Sequence, residues 1–332
     1  MTTADLPVSA PPGTGAVGRP LLEVRGLRVR YRSGGRPFEA VAGLDLTLHQ
    51  GETLGLVGES GCGKSSVARA VARLEPDVSG AIVFDGQDVA RTGGRALKAY
   101  RRRVGMVFQD PIASLNPRRT VRDIIATPLE LAGGHDSTAI AARVGELADL
   151  VGLHPSLLDR HPHEMSGGQC QRVSIARALA CVPDLLLCDE VVSALDVSIQ
   201  AQVVNLLMDI REQQRLAMLF ISHDLAVVRQ LSDRVAVMYL GTLCEDAPVD
   251  ELFARPAHPY TRALLASVPG NPTPDTALLT GDLPSPLTPP SGCRFRTRCP
   301  LARDTCAEIP PTPKQIRPDH HVACHFPIDA TP

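Results

Sequence analysis

The eight residues Gly58 to Ser65, reading GESGCGKS, constrain this chain more than any other stretch. A short apolar run, Thr53 to Val57, leads into them, and a helix-like run, Ser66 to Leu74, leads out. Strand, glycine-rich turn and helix at the spacing G-x-x-x-x-G-K-S form a phosphate-binding loop. Gly58, Gly61 and Gly63 let the backbone wrap an anion closely with no Cβ in the way. The amides of the turn, through Glu59, Ser60 and Cys62, and those of the first helical turn at Ser66 then face the anion, where the helix dipole also favours negative charge. Lys64 adds a charge able to reach β- and γ-phosphates, and the Ser65 hydroxyl can ligate Mg²⁺. The implied ligand is a nucleoside triphosphate with its Mg²⁺.

A second constellation narrows the chemistry. Leu185 to Cys188 is an apolar strand that delivers Asp189 and Glu190 to its C-terminal edge, where nucleotides sit in open α/β sheets. Asp189 is placed to hold Mg²⁺ through water and Glu190 to polarise the attacking water. Upstream, Met165-Ser166-Gly167-Gly168-Gln169 opens a helix running through Gln171, Arg172, Ile175 and Leu179. Alone, that stretch reads as an ordinary helix cap with Ser166 at the N-cap. Beside the phosphate-binding loop, the paired carboxylates and His223, it reads as a second anion-binding helix start, one without a lysine.

In chain order, residues 1 to 19 are rich in Pro, Gly, Ala and Thr and read as a disordered leader. Alternating apolar residues from Leu21 to Tyr31 and from Val41 to Leu48, with the turn Gly34-Gly35 between, predict an antiparallel pair. Ala81–Phe84, Val104–Phe108, Ala217–Ile221 and Val235–Leu240 are further strands, and residues 120 to 160 and Ile199–Arg211 are helical. Strands alternating with helices predict a mostly parallel sheet covered on both faces, with a helical insert. The 332 residues suggest about two domains. Lys+Arg 34 against Asp+Glu 36 leaves a net charge of −2, so no global basic field points to nucleic acid. No apolar run approaches the roughly 18 residues of a membrane span, and no signal peptide opens the chain. The expectation is a cytosolic protein that meets a membrane only through partners. Cys62, Cys170, Cys181, Cys188 and Cys244 are scattered and expected as small core residues.

Taken together, these motifs resemble the nucleotide-binding subunit of an ABC transporter, over roughly residues 21 to 330. SGGQ at Ser166–Gln169 is similar to the family's signature, and Ser193-Ala194-Leu195-Asp196 to its D-loop. Gln109 stands at the Q-loop glutamine and His223 at the switch histidine. Tyr31 stands where the family places an aromatic against adenine, and an ordinary core or edge tyrosine is the alternative. QDPIASLNPRRTV (Gln109–Val121), SALDVSIQAQVVNLL (Ser193–Leu207) and HPYTRALLASVP (His258–Pro269) resemble, more narrowly, the oligopeptide/dipeptide importer ATPases, whose relatives also import nickel. The resemblance implies an α/β fold of the P-loop NTPase ABC type: a RecA-like core, an antiparallel β subdomain and a helical subdomain near 110–182, all within 20–255. Residues 256–332 would be a Pro/Cys-rich extension.

In function, the resemblance implies an ATPase energising import of di- or oligopeptides, with nickel or another solute as the alternative. Two such domains would meet head to tail, Ser166 and Gly168 capping the γ-phosphate of ATP on the partner. Gln109 and His223 would sense the phosphate in this chain's own site, Gln109 also helping to hold Mg²⁺. Asp110 to Arg119 would contact two membrane-spanning permease subunits at the cytoplasmic face of the inner membrane. A second ATPase subunit, expected as a heterodimer partner, and an extracytoplasmic solute-binding protein complete the assembly. The chain departs from the family's usual pattern at Val191, where relatives have proline, and at Cys170, where relatives often have arginine and a positive charge near the signature is lost.

The tail adds a separate element. Prolines are dense from Pro269 to Pro290, reading as a linker or meandering connection. Cys293, Cys299, Cys306 and Cys324 follow, with five, six and seventeen residues between them. Such clustering in a cytosolic chain reads as a metal site sooner than as disulfides. A Cys₄ set suits tetrahedral zinc or an iron–sulfur cluster, and His320, His321 and His325 keep a mixed zinc site open. Because some dipeptide-importer ATPases carry a [4Fe–4S] cluster in such a tail, the resemblance favours that cluster over Zn²⁺.

Overall fold

The computed structural model describes residues 19–134, 136–193, 195–267 and 281–328. The expected leader (save residue 19), part of the proline-dense connection and Ala194 of the D-loop stretch lie outside these.

Strands β1 (Leu22–Ser33) and β2 (Arg36–Leu48) form the expected antiparallel pair, Leu22 opposite Leu48 and Tyr31 opposite Phe38. Next come β3 (Thr53–Val57), α1 (Lys64–Val71), β4 (Val78–Phe84) and the two-residue β5 (Gln87–Asp88). β4 pairs with the other side of β1, so a four-stranded sheet runs β2-β1-β4-β5. Helix α2 (Gly94–Arg103) has no apolar periodicity to announce it, because only Tyr100 is buried and the last turn is three arginines. β6 (Val104–Val107), α3 (Val121–Ala132), α4 (Ser137–Leu150) and α5 (Gly167–Leu179) carry the chain through the helical insert. Thr120 and Asp136 cap α3 and α4 by accepting from Asp123 and Ala139 amides.

β7 (Leu185–Asp189), α6 (Val197–Gln214), β8 (Ala217–Ile221), α7 (Leu225–Leu231) and β9 (Arg234–Tyr239) complete the core. β3, β7 and β8 are five-residue strands buried at every position, as a parallel sheet covered on both faces requires. Then β10 (Thr242–Pro248) turns back antiparallel on β9, followed by α8 (Val249–Ala254) and α9 (Pro259–Ala266). In the tail, α10 (Asp304–Glu308) precedes the hairpin β11 (Lys314–Arg317) and β12 (His320–Val322). β12 pairs with β10, giving an eight-stranded sheet β11-β12-β10-β9-β3-β8-β7-β6. The cysteine-rich tail is thus an edge of the same sheet that carries the phosphate-binding loop, which no local sequence signal showed.

Two apolar cores result. One lies between the four-stranded sheet and the main sheet, around Leu22, Leu27, Leu54, Val67 and Ile221. The other runs from the helical insert under the far face to Tyr260 and Phe295 of the tail.

Candidate active site

β3 ends in the phosphate-binding loop. Gly58 and Gly63 have φ of 151° and 109°, and a Cβ on them would stand 2.1 Å from the Met238 carbonyl oxygen and 2.2 Å from that of Ala40. Both must be glycine, for φ and for space. Gly61 also has positive φ, at 80°, but faces open space. Lys64 is 4% exposed and donates to the carbonyls of Gly58 (2.8 Å) and Glu59 (3.1 Å), its ammonium lying across the loop mouth. Ser60 is exposed, and Cys62 is buried with its thiol pushed up by desolvation. On the outer side, Tyr31 puts its hydroxyl 3.2 Å from Ser66 Oγ while its ring tilts against Phe38.

The three parallel strands place the remaining chemistry at one edge. β7 runs beside β8, and the Glu190 amide bonds the Ile221 carbonyl, so Glu190 and His223 leave the sheet side by side. Ser65 Oγ donates to Asp189 Oδ1 at 2.7 Å, joining the loop to the strand end. Burial pushes the Asp189 carboxyl above its ordinary 3.8, while the Ser65 hydroxyl pulls it back. Glu190 sits at φ 49°, a conformation unusual for a side chain, and accepts Gln109 Nε2 at 2.8 Å on Oε2. His223 Nδ1 stands 3.7 Å from that same oxygen. Gln109, Glu190 and His223 therefore converge, Gln109 and His223 exposed and the Glu190 side chain only 14% exposed between them. The loop behind them is tied down: Ser222 Oγ accepts the Asp224 amide, Asp224 caps α7, and Gln200 of α6 donates to Asp224.

Ser166 and Gln169 form a capping box at the start of α5, each accepting the other's backbone amide. Gly167 and Gly168 form the first turn, and a Cβ on Gly168 would stand 2.7 Å from Ile199 of α6. Asp196 is the N-cap of α6 without a side-chain capping bond. Cys170 is fully buried, its thiol on the Pro162 carbonyl, so the lost charge faces the interior of the helical insert instead of a nucleotide. Val191 and Val192 are buried at 2% and 1%, so apolar packing holds the loop after Glu190 without proline.

Cys293, Cys299, Cys306 and Cys324 line one small cavity with Phe295, His258 and His325. All nine cysteines are free. Among the described residues, however, no group of three or more His, Cys, Asp or Glu side chains is assembled to hold a metal ion. Shared lining brings the thiols together around the cavity without ligating geometry. His320 is committed elsewhere, its Nε2 2.7 Å from the buried Glu245. Two further residues reach the phosphate-binding loop from far along the chain: Arg298, and Tyr260 of the His258–Pro269 stretch, for which the sequence suggested no role at this site. Arg298 pairs with Glu59, 239 residues away, and the Tyr260 hydroxyl accepts the Glu59 amide.

Fold and site together define an ATP-binding cassette of the ABC type. Residues 41–193 match the family described as ABC transporter, and residues 244–306 that described as oligopeptide/dipeptide transporter, C-terminal region. The chain is 52% identical over 294 residues to the oligopeptide transport ATP-binding protein AppF of Bacillus subtilis, covering 87% of this chain and 89% of that one. It is 50% identical over 307 residues to the oligopeptide transport ATP-binding protein OppF of Escherichia coli, covering 88% and 92%. Among solved structures, the dimeric cassette MJ0796 in a post-hydrolysis state with ADP and Pi aligns with TM-score 0.64 at 26% identity, over 69% of this chain and 98% of that one. The chain belongs to the ATP-binding subunits of the oligopeptide/dipeptide ABC importers.

Proposed function

We infer that this chain binds and hydrolyses ATP to energise import of di- or oligopeptides, and the observation that carries this is the convergence of Ser65–Asp189 with Gln109–Glu190–His223 at one sheet edge. The relatives' names favour peptide over nickel as cargo. Mg²⁺ fits the Ser65 and Asp189 oxygens, which already face each other, and the glycine cradle fits a phosphate chain. When bound, the ion neutralises charge on the β- and γ-phosphates.

The chain's own residues then divide the work. Lys64 leaves the Gly58 and Glu59 carbonyls for the phosphates, and Tyr31 offers its ring at the outer rim to the adenine. Glu190 takes the proton of the attacking water, held in position by Gln109, while His223 contacts the same carboxylate and senses the terminal phosphate. Gln109, which bonds Glu190 at the start of the permease-facing loop, would also help to hold Mg²⁺. Ser166, Gly167, Gly168 and Gln169, with Asp196, form the surface offered to a partner cassette. Contact with the terminal phosphate from both sides makes ATP favour the closed pair, and hydrolysis releases it.

The proposed organisation is a cassette over 20–255, with its helical subdomain near 110–182, and an extension over 256–332. Among the described residues no helix is long and apolar enough to cross a membrane. The proposal places the chain peripherally, on the cytoplasmic face of the inner membrane, against two permease subunits and beside a second ATPase subunit in a heterodimer. An extracytoplasmic solute-binding protein would deliver peptide. Two apolar features suit permease docking: Ile112, 53% exposed on the loop after Gln109, and a groove between α2 and α3 edged by Leu97, Arg101, Pro128 and Leu131. For the tail, the donor chemistry of Cys293, Cys299, Cys306 and Cys324 suits a [4Fe–4S] cluster or Zn²⁺, but the thiols must first close on a common centre. Such a group would brace the tail, and no step of ATP turnover passes through it. The decisive experiment is uptake of labelled peptide by vesicles carrying the co-purified transporter. ATP-dependent uptake supports the reading, whereas ATP hydrolysis without peptide uptake would remove the assigned cargo.

A further inference from the structure

Glu59 is the one charged residue inside the phosphate-binding loop apart from Lys64, and it points away from the loop mouth into the C-terminal tail. Its carboxylate receives both arms of the Arg298 guanidinium, at 2.6 and 3.0 Å. Its amide donates to the Tyr260 hydroxyl at 2.9 Å, and its carbonyl accepts Lys64 at 3.1 Å. The Glu59 amide and carboxylate are thereby held by residues beyond the parallel core, and those bonds do not depend on Lys64, which turns to the phosphates.

These anchors are rigid. The Arg298 side chain is 6% exposed and lies near the Tyr239 ring, its guanidinium also reaching that hydroxyl at 3.4 Å. Tyr239, Tyr260 and Phe295 pack with centroids 4.7 to 5.3 Å apart, all three buried. Arg298 itself belongs to the loop that carries the tail cysteines. Its amide bonds the Phe295 carbonyl, Arg296 bonds the Cys293 carbonyl, and Cys293 bonds the Cys306 carbonyl at 2.7 Å. Moving the cysteine-lined loop must therefore move Arg298, and with it the peptide that shapes the anion cradle. The pair is part-buried, its guanidinium 6% and its carboxylate 25% exposed, and the two parallel bonds of the fork fix its geometry, which makes this a stiff connection.

We propose that the cysteine-bearing tail sets the ATP affinity of the cassette, with Arg298 and Tyr260 as positioning residues that act through Glu59. The state of the four-cysteine loop, whatever orders it, is then read out as nucleotide affinity. This rests on the ATPase reading above and adds regulation to that same site.

The test is equilibrium titration of the full-length chain with Mg-ATP, with melting temperature recorded in parallel. Arg298→Gln should weaken ATP binding roughly ten- to a hundredfold, the value of a lost charge-assisted pair. Arg298→Lys, which keeps the charge without the fork, should recover part of it. Glu59→Gln should weaken binding similarly, and the double variant should be no worse than either single one. In the assembled transporter the loss should fall on KM for ATP more than on kcat. If Arg298→Gln does not fold, Tyr260→Phe removes only the hydroxyl and should still weaken binding. Unchanged affinity in a folded Arg298→Gln or Tyr260→Phe, or additive losses in the double variant, would overturn the clamp. Failure of the wild-type chain to bind ATP would instead remove the ATPase reading beneath it.

Discussion

Replacing Glu190 by Gln isolates the proton-transfer step, because the geometry allows the carboxamide to keep the shape of the carboxylate. Its remaining oxygen can still accept Gln109 Nε2, which now stands 2.8 Å away, and His223 lies beyond at 3.7 Å. What disappears is basicity. General-base assistance is worth ~10²- to 10⁴-fold, or about 3 to 5 kcal/mol of barrier, and phosphate release by the assembled transporter should fall by that factor. Binding should not fall with it. The hydrogen bonds of Lys64 and Ser65 go to Gly58, Glu59, Cys62 and Asp189. Glu190 is also one of the charges that raise the Asp189 carboxyl, so its removal favours the ionised form that Mg²⁺ needs. Mg-ATP affinity should be retained or tightened, and size-exclusion chromatography should show a nucleotide-loaded closed pair that does not turn over. Hydrolysis at close to the wild-type rate would mean that the base lies elsewhere, and the assignment of Glu190 would fall.

Other consequences can be checked independently. His258 is fully buried, which pushes its pKa down from 6.5 to about 4. The unfolded chain therefore takes up that proton first, so stability present above pH 6.5 is lost as pH falls towards 4. The loss amounts to about 3 kcal/mol, and urea melts of His258→Asn, which can still cap α9, should show a flatter acid limb. Gly58→Ala forces a side chain into φ 151° against the Met238 carbonyl; strain alone costs about 1–3 kcal/mol, and calorimetry should show ATP binding lost while the chain stays folded. The cluster proposed for the tail would make anaerobically purified protein brown, absorbing at ~400 nm with Cys₄ ligation, and Cys306→Ser would bleach it. Colourless protein containing zinc would replace the cluster with Zn²⁺, and metal-free protein would remove both.

Much of the site was legible because its chemistry is local. Three glycines, a lysine and a serine at fixed spacing dictate their own turn, and a short apolar strand ending in two carboxylates dictates where those carboxylates emerge. The capping box at Ser166 and Gln169 is likewise written in four consecutive residues. The parallel core followed from five-residue runs too apolar to face water on either side. Helix α2 has no legible signal because its arginine-rich face gives no period, and β11 and β12 have none because four- and three-residue strands carry almost no pattern.

What only the tertiary structure decided is how distant segments meet. No spacing rule relates Arg298 to Glu59, and no composition says that the tail closes the edge of the main sheet through β12 on β10. Nor could the sequence tell that Cys170 faces inward, or that four cysteines share a cavity without yet closing on a metal. Local motifs fix short backbone segments because their hydrogen bonds and φ angles are satisfied within a few residues. Long-range pairs form only once the sheet order has been set, by burial of surfaces that no single segment owns.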